Sequence, residues 1–361
     1  MEPARPGYQR IRIDDLQEFC VSAMLKTGMR DEDARVTARV LVTTDSWGVF
    51  THGTKNLRLY LGRIRAGGID AKAVPQVVSE GPAWAMIDAR RAMAMVSSYR
   101  AMELAIEKAG ACGIGYVGVK QSTHFGAAGF YACLAAEQGM IGLAMSNVDV
   151  NMNAPGARGG VIGNNPFAYA VPAAEGHPIL LDVALSAVAA GKVGAALERG
   201  EPIPDTWLVD ENGVPTTDAA AYPNRATLLP MGGHKGYGLA VMVEVLAAVL
   251  TGASITRDVK SWVLEPDKVT DEGHAFIAID IGAMMPRHLF QERVEAMARG
   301  IRDSPKAKGA ARIYLPGEKE WESREEAMRN GIRLPTDVVA SLDRMGEESG
   351  IGRPPYLGND A

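Results

Sequence analysis

Residues 95–129 read MVSSYRAMELAIEKAGACGIGYVGVKQSTHFGAAG. Met95 to Ala109 is an Ala-rich run of helix formers. Behind it, Gly113-Ile114-Gly115-Tyr116-Val117-Gly118 satisfies GxGxxG. That fingerprint cradles a pyrophosphate only when a strand precedes it and a helix opens at its glycines, because the helix N-terminus supplies the anion site. Here the order is reversed: a helix comes first and a β-rich run follows. The glycines therefore read as a helix end and a tight strand entry, and a Rossmann unit is set aside. No GxxxxGK[ST] stretch exists either.

Working outward from this stretch, the chain after Pro75 alternates short β-branched runs, beginning with Val77-Val78, with Ala-rich helical ones. Strands are expected at Gly115 to Lys120, Ile141 to Asn147, Pro166 to Pro172, Pro178 to Ala184 and His274 to Ile281. Helices are expected at Gly129 to Glu137, Tyr237 to Leu250 and Leu289 to Ile301. The fold class is α/β. Before Pro75, Arg12 to Arg65 predicts several helices, with Leu16, Phe19, Val21, Met24 and Leu25 largely at helical intervals. SWGVFTHGTK forms a tip between two of them. Beyond Ala311 a strand-like ARIYLPGE leads into two helical segments, the second opened by Pro335 and Thr336, which are expected to fold back onto the N-terminal helices. Glu198 to Asn224 reads as a surface excursion with turns.

The 361 residues are 47% hydrophobic and 22% charged, which excludes bulk disorder. With 38 basic against 43 acidic residues there is no electrostatic footprint for nucleic acid or an anionic membrane. No apolar run reaches the roughly 18 residues of a membrane span, and MEPARPGYQRIRIDD lacks the apolar stretch of a leader. Cys20, Cys112 and Cys133 are far apart and suit a reducing cytoplasm. Gly, at 40 residues, is enriched, and glycine belongs where backbone turns sharply or a ligand approaches it.

Three of the six histidines lie in glycine- or hydroxyl-rich turns. Thr51-His52-Gly53-Thr54 puts an imidazole beside a hydroxyl that can orient it or share its proton, or else forms a capping loop. Ser122-Thr123-His124-Phe125-Gly126-Ala127-Ala128-Gly129 follows a strand and opens a helix, so its N–H groups can face an anion, or Ser122 or Thr123 simply caps the helix. Gly232-Gly233-His234-Lys235-Gly236 sets a cation among flexible donors, or is a solvated loop. Asn147 to Asn165 is turn-rich, and its amides suit turn-making as well as a ligand. Asp182 ends an apolar run and can take sugar hydroxyls or cap a helix. No histidine spacing suggests a metal site, and no GxSxG elbow or Cys–His neighbour suggests covalent hydrolysis.

Taken in order, THGTKNLRLY, STHFGAAGFY, SNVDVNMNAPGARGG, GNNPFAYAVP, LLDVALSAVAAGKV, LPMGGHKGYGL and LPGE resemble the type-2 malate/L-lactate dehydrogenase family along nearly the whole chain. The resemblance implies hydride transfer between NAD or NADP and a small 2-oxo or 2-hydroxy acid, with reduction of a cyclic imino acid as the alternative. It implies a non-Rossmann cofactor domain at 76–301, a helical domain from 1–75 with 302–361, and a homodimer. Carried over by residue, proton transfer falls on His52 with Thr51, or on His124. Cofactor contacts fall on His124, Phe125, Gly126, Ala127 and Ala128, on Asp182, Val183 and Ala184, on His234, Lys235 and Gly236, and on Pro316, Gly317, Glu318 and Lys319. A bulky residue at Gly126 is expected to weaken cofactor binding before it harms folding. Substrate contacts fall on Lys55, Asn56, Arg58, Asn147, Val148 and Asn165. Asn56 stands where relatives often place an arginine that binds the substrate carboxylate; that departure is the one hint of a non-catalytic binding protein on the same fold, and His52, His124 and Lys235 argue against it.

Overall fold

The computed structural model describes residues 8–173 and 176–357. Residues 1–7, part of the segment in which no leader was read, lie outside it, as do 174–175 and 358–361. Among the described residues no helix is long and apolar enough to cross a membrane.

The chain begins with β1 (Gln9–Ile11), then α1 (Ile13–Leu25), α2 (Asp31–Ser46) and α3 (Leu57–Ala66). Next come β2 (Gln76–Gly81), β3 (Trp84–Asp88), α4 (Ala94–Cys112), β4 (Ile114–Ser122), α5 (Ala128–Glu137), β5 (Met140–Ser146), β6 (Phe167–Val171) and β7 (Ile179–Val183). After α6 (Ala190–Arg199), the short strands β8 (Leu208–Asp210), β9 (Pro215–Thr216) and β10 (Ala226–Leu228) precede α7 (His234–Glu244) and β11 (Glu272–Asp280). The chain closes with α8 (Ile281–Met284), α9 (Arg287–Arg302), α10 (Glu318–Asn330), β12 (Ile332–Leu334) and α11 (Thr336–Ser349).

The fold is mixed α/β around a seven-stranded sheet in the order β2-β3-β4-β11-β5-β6-β7. Its β3–β4 pair is parallel and its other pairs are antiparallel. The alternation of β11 explains how it serves two layers: Phe276 and Ala278 enter the core under α4 and α5, while Ala275 and Ile277 face a second cluster under α7. GxGxxG lies across the junction of α4 and β4, helix first. A Cβ at Gly115 would overlap the Ala105 carbonyl oxygen of α4, and one at Gly142 would overlap the Ala132 carbonyl oxygen of α5. Both glycines are thus explained by helices lying close on the sheet.

β1 pairs antiparallel with β12, Gln9 opposite Leu334, which joins the two ends of the chain. The core beneath α1, α2 and α3 continues without a break into the sheet. Four local expectations are revised. ARIYLPGE is irregular rather than a strand: Leu180 N–H bonds Pro316 O, and Gly317 turns left-handed (φ 91°) to start α10. The excursion at 198–224 contains β8 and β9, which form a three-stranded sheet with β10 over a core including Ile203, Leu208 and Ala221. The helix expected from Tyr237 starts at His234 and ends in a π-helical turn, Val245–Val249. Neither Ser122 nor Thr123 caps α5, whose N-cap is Ala127.

Candidate active site

The turn between α2 and α3 is built around Asp45. Buried in the last turn of α2, this carboxylate accepts the Thr54 N–H (3.1 Å) and the Thr54 hydroxyl (2.5 Å). Gly53 is required by the same contact, because a Cβ there would overlap Asp45 Oδ1. Asn56 closes the turn by donating its amide to Thr51 O (2.8 Å). The turn holds out His52, whose Nδ1 lies 2.9 Å from Thr51 Oγ1. Burial pushes the Asp45 pKa up to about 7, against only partial relief from Thr54.

His124 arrives from the end of β4. Thr123 Oγ1 meets Thr270 Oγ1 at 3.0 Å, and Phe125 stacks on His274 with centroids 4.5 Å apart. His274 sits in β11 between Ser146 Oγ and Ser122 Oγ, each 2.8 Å away. The Ser146 hydroxyl donates to Asn147 O (2.7 Å), so it accepts from His274 Nδ1, and Nε2 accepts from Ser122. This buried ring is neutral, its pKa lowered to about 3 by desolvation. The His124 ring stacks on Trp262 (4.2 Å, 11°), and its Nδ1 lies 2.5 Å from the Tyr60 hydroxyl. Burial holds the Tyr60 pKa far above its ordinary value, so the phenol keeps its proton and shares a hydrogen bond with His124 Nδ1. The rings of His52 and His124 are 5.5 Å apart. Burial lowers both pKa values, that of His124 strongly, and the histidine neighbours lower it further.

Both imidazoles line a cavity of about 830 Å³. Its wall also includes Thr51, Lys55, Asn56, Phe125, Gly126, Ala127, Ala128, Val148, Asp182, Val183, Ala184, Pro316, Gly317 and Lys319. On the same cavity wall, Asp182 on β7 accepts the Gly129 N–H of α5 (2.7 Å). That carboxylate is open to the cavity yet enclosed by protein, and the enclosure pushes its pKa up to about 6. Asp182 therefore helps cap a helix three elements earlier in sequence.

Other candidates lie elsewhere. Asn147 and Asn165 are buried as scaffold: both donate to Glu244 of α7, and they accept from the N–H groups of Gly273 and Val148. Arg58 pairs with Glu348 (2.7 Å), and Lys55, though at the cavity, pairs with Asp337 (2.6 Å). Glu318 accepts from Leu315 N–H and Arg302. His234 and Lys235 stand exposed at the start of α7, with Gly236 buried behind them. The sequence reading missed Tyr60, Trp262, Asp149 and Glu272, although Trp262, Asp149 and Glu272 line the cavity and Tyr60 backs His124. The signal available was a carboxylate at Glu272 opening an otherwise apolar strand.

The sequence pattern of malate/L-lactate dehydrogenases matches residues 11–343. The chain belongs to that family. A malate dehydrogenase of Pyrococcus abyssi is 36% identical over 352 residues, 96% of either chain. An NAD(+) ureidoglycolate dehydrogenase of Escherichia coli K12 is 33% identical over 92% of this chain and 95% of its own. The solved malate dehydrogenase of Pyrococcus horikoshii superposes with a TM-score of 0.88 at 34% identity, covering 98% of this chain and 99% of its own. Membership in the malate/L-lactate dehydrogenase family makes the chain an oxidoreductase, and the cavity with its paired imidazoles is the candidate centre.

Proposed function

We propose that this oxidoreductase of small 2-hydroxy and 2-oxo acids works in the 830 Å³ cavity, with NAD or NADP at the Asp182 end and the acid at the histidine end. The observation that carries the reading is one cavity lined both by two neutral imidazoles and by the N-terminus of α5. That N-terminus suits a dinucleotide. No side chain of its own N-cap residue closes α5, its first turn faces the cavity at Ala127 and Ala128, and Asp182 has an oxygen to spare for a ribose hydroxyl. The left-handed backbone at Gly317 brings the 316–319 segment against Leu180 on the same wall.

When bound, the nicotinamide ring accepts or gives up the hydride. The protein's share is to hold the acid and move one proton. His52, with Nδ1 tied to Thr51, takes the hydroxyl proton during oxidation and returns it during reduction, and the His124 ring stands beside it. Lowered pKa values keep the imidazoles neutral near pH 7, ready to accept. Lys55 is the cavity-lining cation on the turn that carries His52, and it answers the acid's carboxylate.

The reading extends to the whole molecule. The sheet region 76–301 serves as a non-Rossmann cofactor domain, and 1–75 with 302–361 as a helical domain joined by the β1–β12 pair. A homodimer is supported by Leu239, Val241, Met242, Val245, Val249 and Leu250, which leave an apolar face exposed along α7 and its π turn. His234 and Lys235 would lie at that interface. Three free cysteines suit a cytoplasmic setting. The deciding experiment follows NADH and NADPH oxidation with a panel of 2-oxo acids. Turnover of at least one supports the function, and none with either cofactor overturns it.

A further inference from the structure

Glu272 opens β11 and lines the cavity. It is 0% exposed, and among the described residues neither carboxylate oxygen has a hydrogen-bond partner. The nearby guanidinium does not satisfy it: Arg63 donates to the carbonyls of Trp262, Glu265 and Lys268 and to the Thr270 hydroxyl. A second carboxylate, Asp149, faces the same region, and burial together with Asp149 drives the Glu272 pKa well up, with Arg63 opposing. Two lysines line the cavity wall: Lys55, paired with Asp337, is given above to the acid's own carboxylate, and Lys319 lies over the Tyr314 ring.

A buried acceptor without a donor is costly, and a cavity wall is where an incoming molecule can supply one. Building on the function proposed above, we infer that Glu272 reads the far end of the substrate. It selects 2-oxo and 2-hydroxy acids whose distal group offers N–H or O–H, such as an amide or a hydroxyl, over those ending in a second carboxylate. A distal carboxylate would have to shed its hydration beside Glu272 and Asp149, in a place where burial already disfavours carboxylate charge. A distal amide donates to Glu272 instead. A site built to hydrogen-bond a donor rejects the analogue lacking it far more strongly than a hydrophobic pocket rejects a missing methylene.

The test compares kcat/KM for oxaloacetate and for its 4-amide, 2-oxosuccinamate, with pyruvate as the truncated reference. The wild type should prefer the amide over oxaloacetate by at least about 100-fold. Glu272→Met fills the same space but has no oxygen to accept the amide N–H, so it should cut that preference by about tenfold or more. Asp149→Asn should narrow it in the same direction, which keeps the test decisive if Glu272→Met does not fold. Equal use of the two acids by the wild type, or an unchanged ratio in a folded variant, overturns the inference while turnover itself leaves the proposed function standing. A protein that reduces none of these or any other 2-oxo acid overturns both together.

Discussion

Asp45 holds the turn that presents His52, bonding Thr54 two residues beyond it. Because His52 lines the cavity with its Nδ1 held by Thr51, His52→Ala should lower kcat by about 10²–10⁴-fold with cofactor affinity nearly unchanged. Steady-state rates and a cofactor fluorescence titration check this, and near-normal turnover would transfer the role to His124. Asp45 makes the turn sensitive to pH. Its pKa rises from 3.8 to about 7 on folding, so the folded state binds the extra proton. The stability this contributes is full below about pH 4 and is lost as pH climbs through about 7. His274, lowered from 6.5 to about 3, works the other way, its contribution being full above 6.5 and lost on acidification. Comparing wild type with Asp45→Asn isolates the first effect. The melting temperature of the variant should gain on that of the wild type as pH rises from 5 to 8, and a pH-independent gap would refute the assignment. Gly126 carries a revision of its own. A Cβ there would meet Val40 Cγ1 at 3.4 Å, and φ is +82°, so valine at 126 strains the interior as well as the cavity wall. Folding would suffer alongside cofactor binding, not after it.

At the scale of elements, β7 and α5 meet through one carboxylate. Asp182→Ala removes the acceptor from the Gly129 N–H and should cost about 1 kcal/mol of stability, as losing a helix cap does. If the carboxylate also holds a ribose hydroxyl, the cofactor dissociation constant should rise by about tenfold, the scale of one lost charge-assisted bond. Chemical denaturation and cofactor titration separate the two roles: a stability loss with unchanged binding would leave Asp182 as a cap alone. Helix α7 presents the opposite case, an element whose apolar pattern points two ways. Ala240, Val243 and Ala247 pack inward, whereas Leu239, Met242 and Val245 are exposed. An all-round apolar helix on the surface needs a second partner.

For the whole molecule, that partner is taken to be a second copy. Light scattering should give twice the chain mass for the wild type and the chain mass for Val245→Glu, since a charge at the centre of an apolar face is left unpaired in the interface. A monomeric wild type would refute the dimer. The fold itself was legible wherever the signal is local. The helix-then-strand order around Gly113–Gly118 separated this chain from a dinucleotide fingerprint, and the strands at β4, β5, β6, β7 and β11 were visible because burial on a pleated sheet imposes β-branched and apolar runs. β1, β12 and the β8–β10 sheet were not, being two or three residues long and stabilised by partners far along the chain.

Sequence by itself determined the α/β class, the family, the turns that present His52 and His124 and the strand that carries Asp182, because glycine, hydroxyl and apolar-run patterns act within a few residues. Only the tertiary structure decided which of the candidates share a cavity. Asn147 and Asn165 look like ligands in a turn-rich stretch but are spent on Glu244, nearly a hundred residues away in one case. Tyr60, Trp262 and Glu272 carry no local motif: Tyr60 bonds to His124 and Trp262 stacks on it, while Glu272 reaches the same cavity on β11, which inserts between β4 and β5. Long-range pairing of that kind is set by which buried faces and polar atoms can be satisfied together, a property of the packed whole that no window of sequence contains.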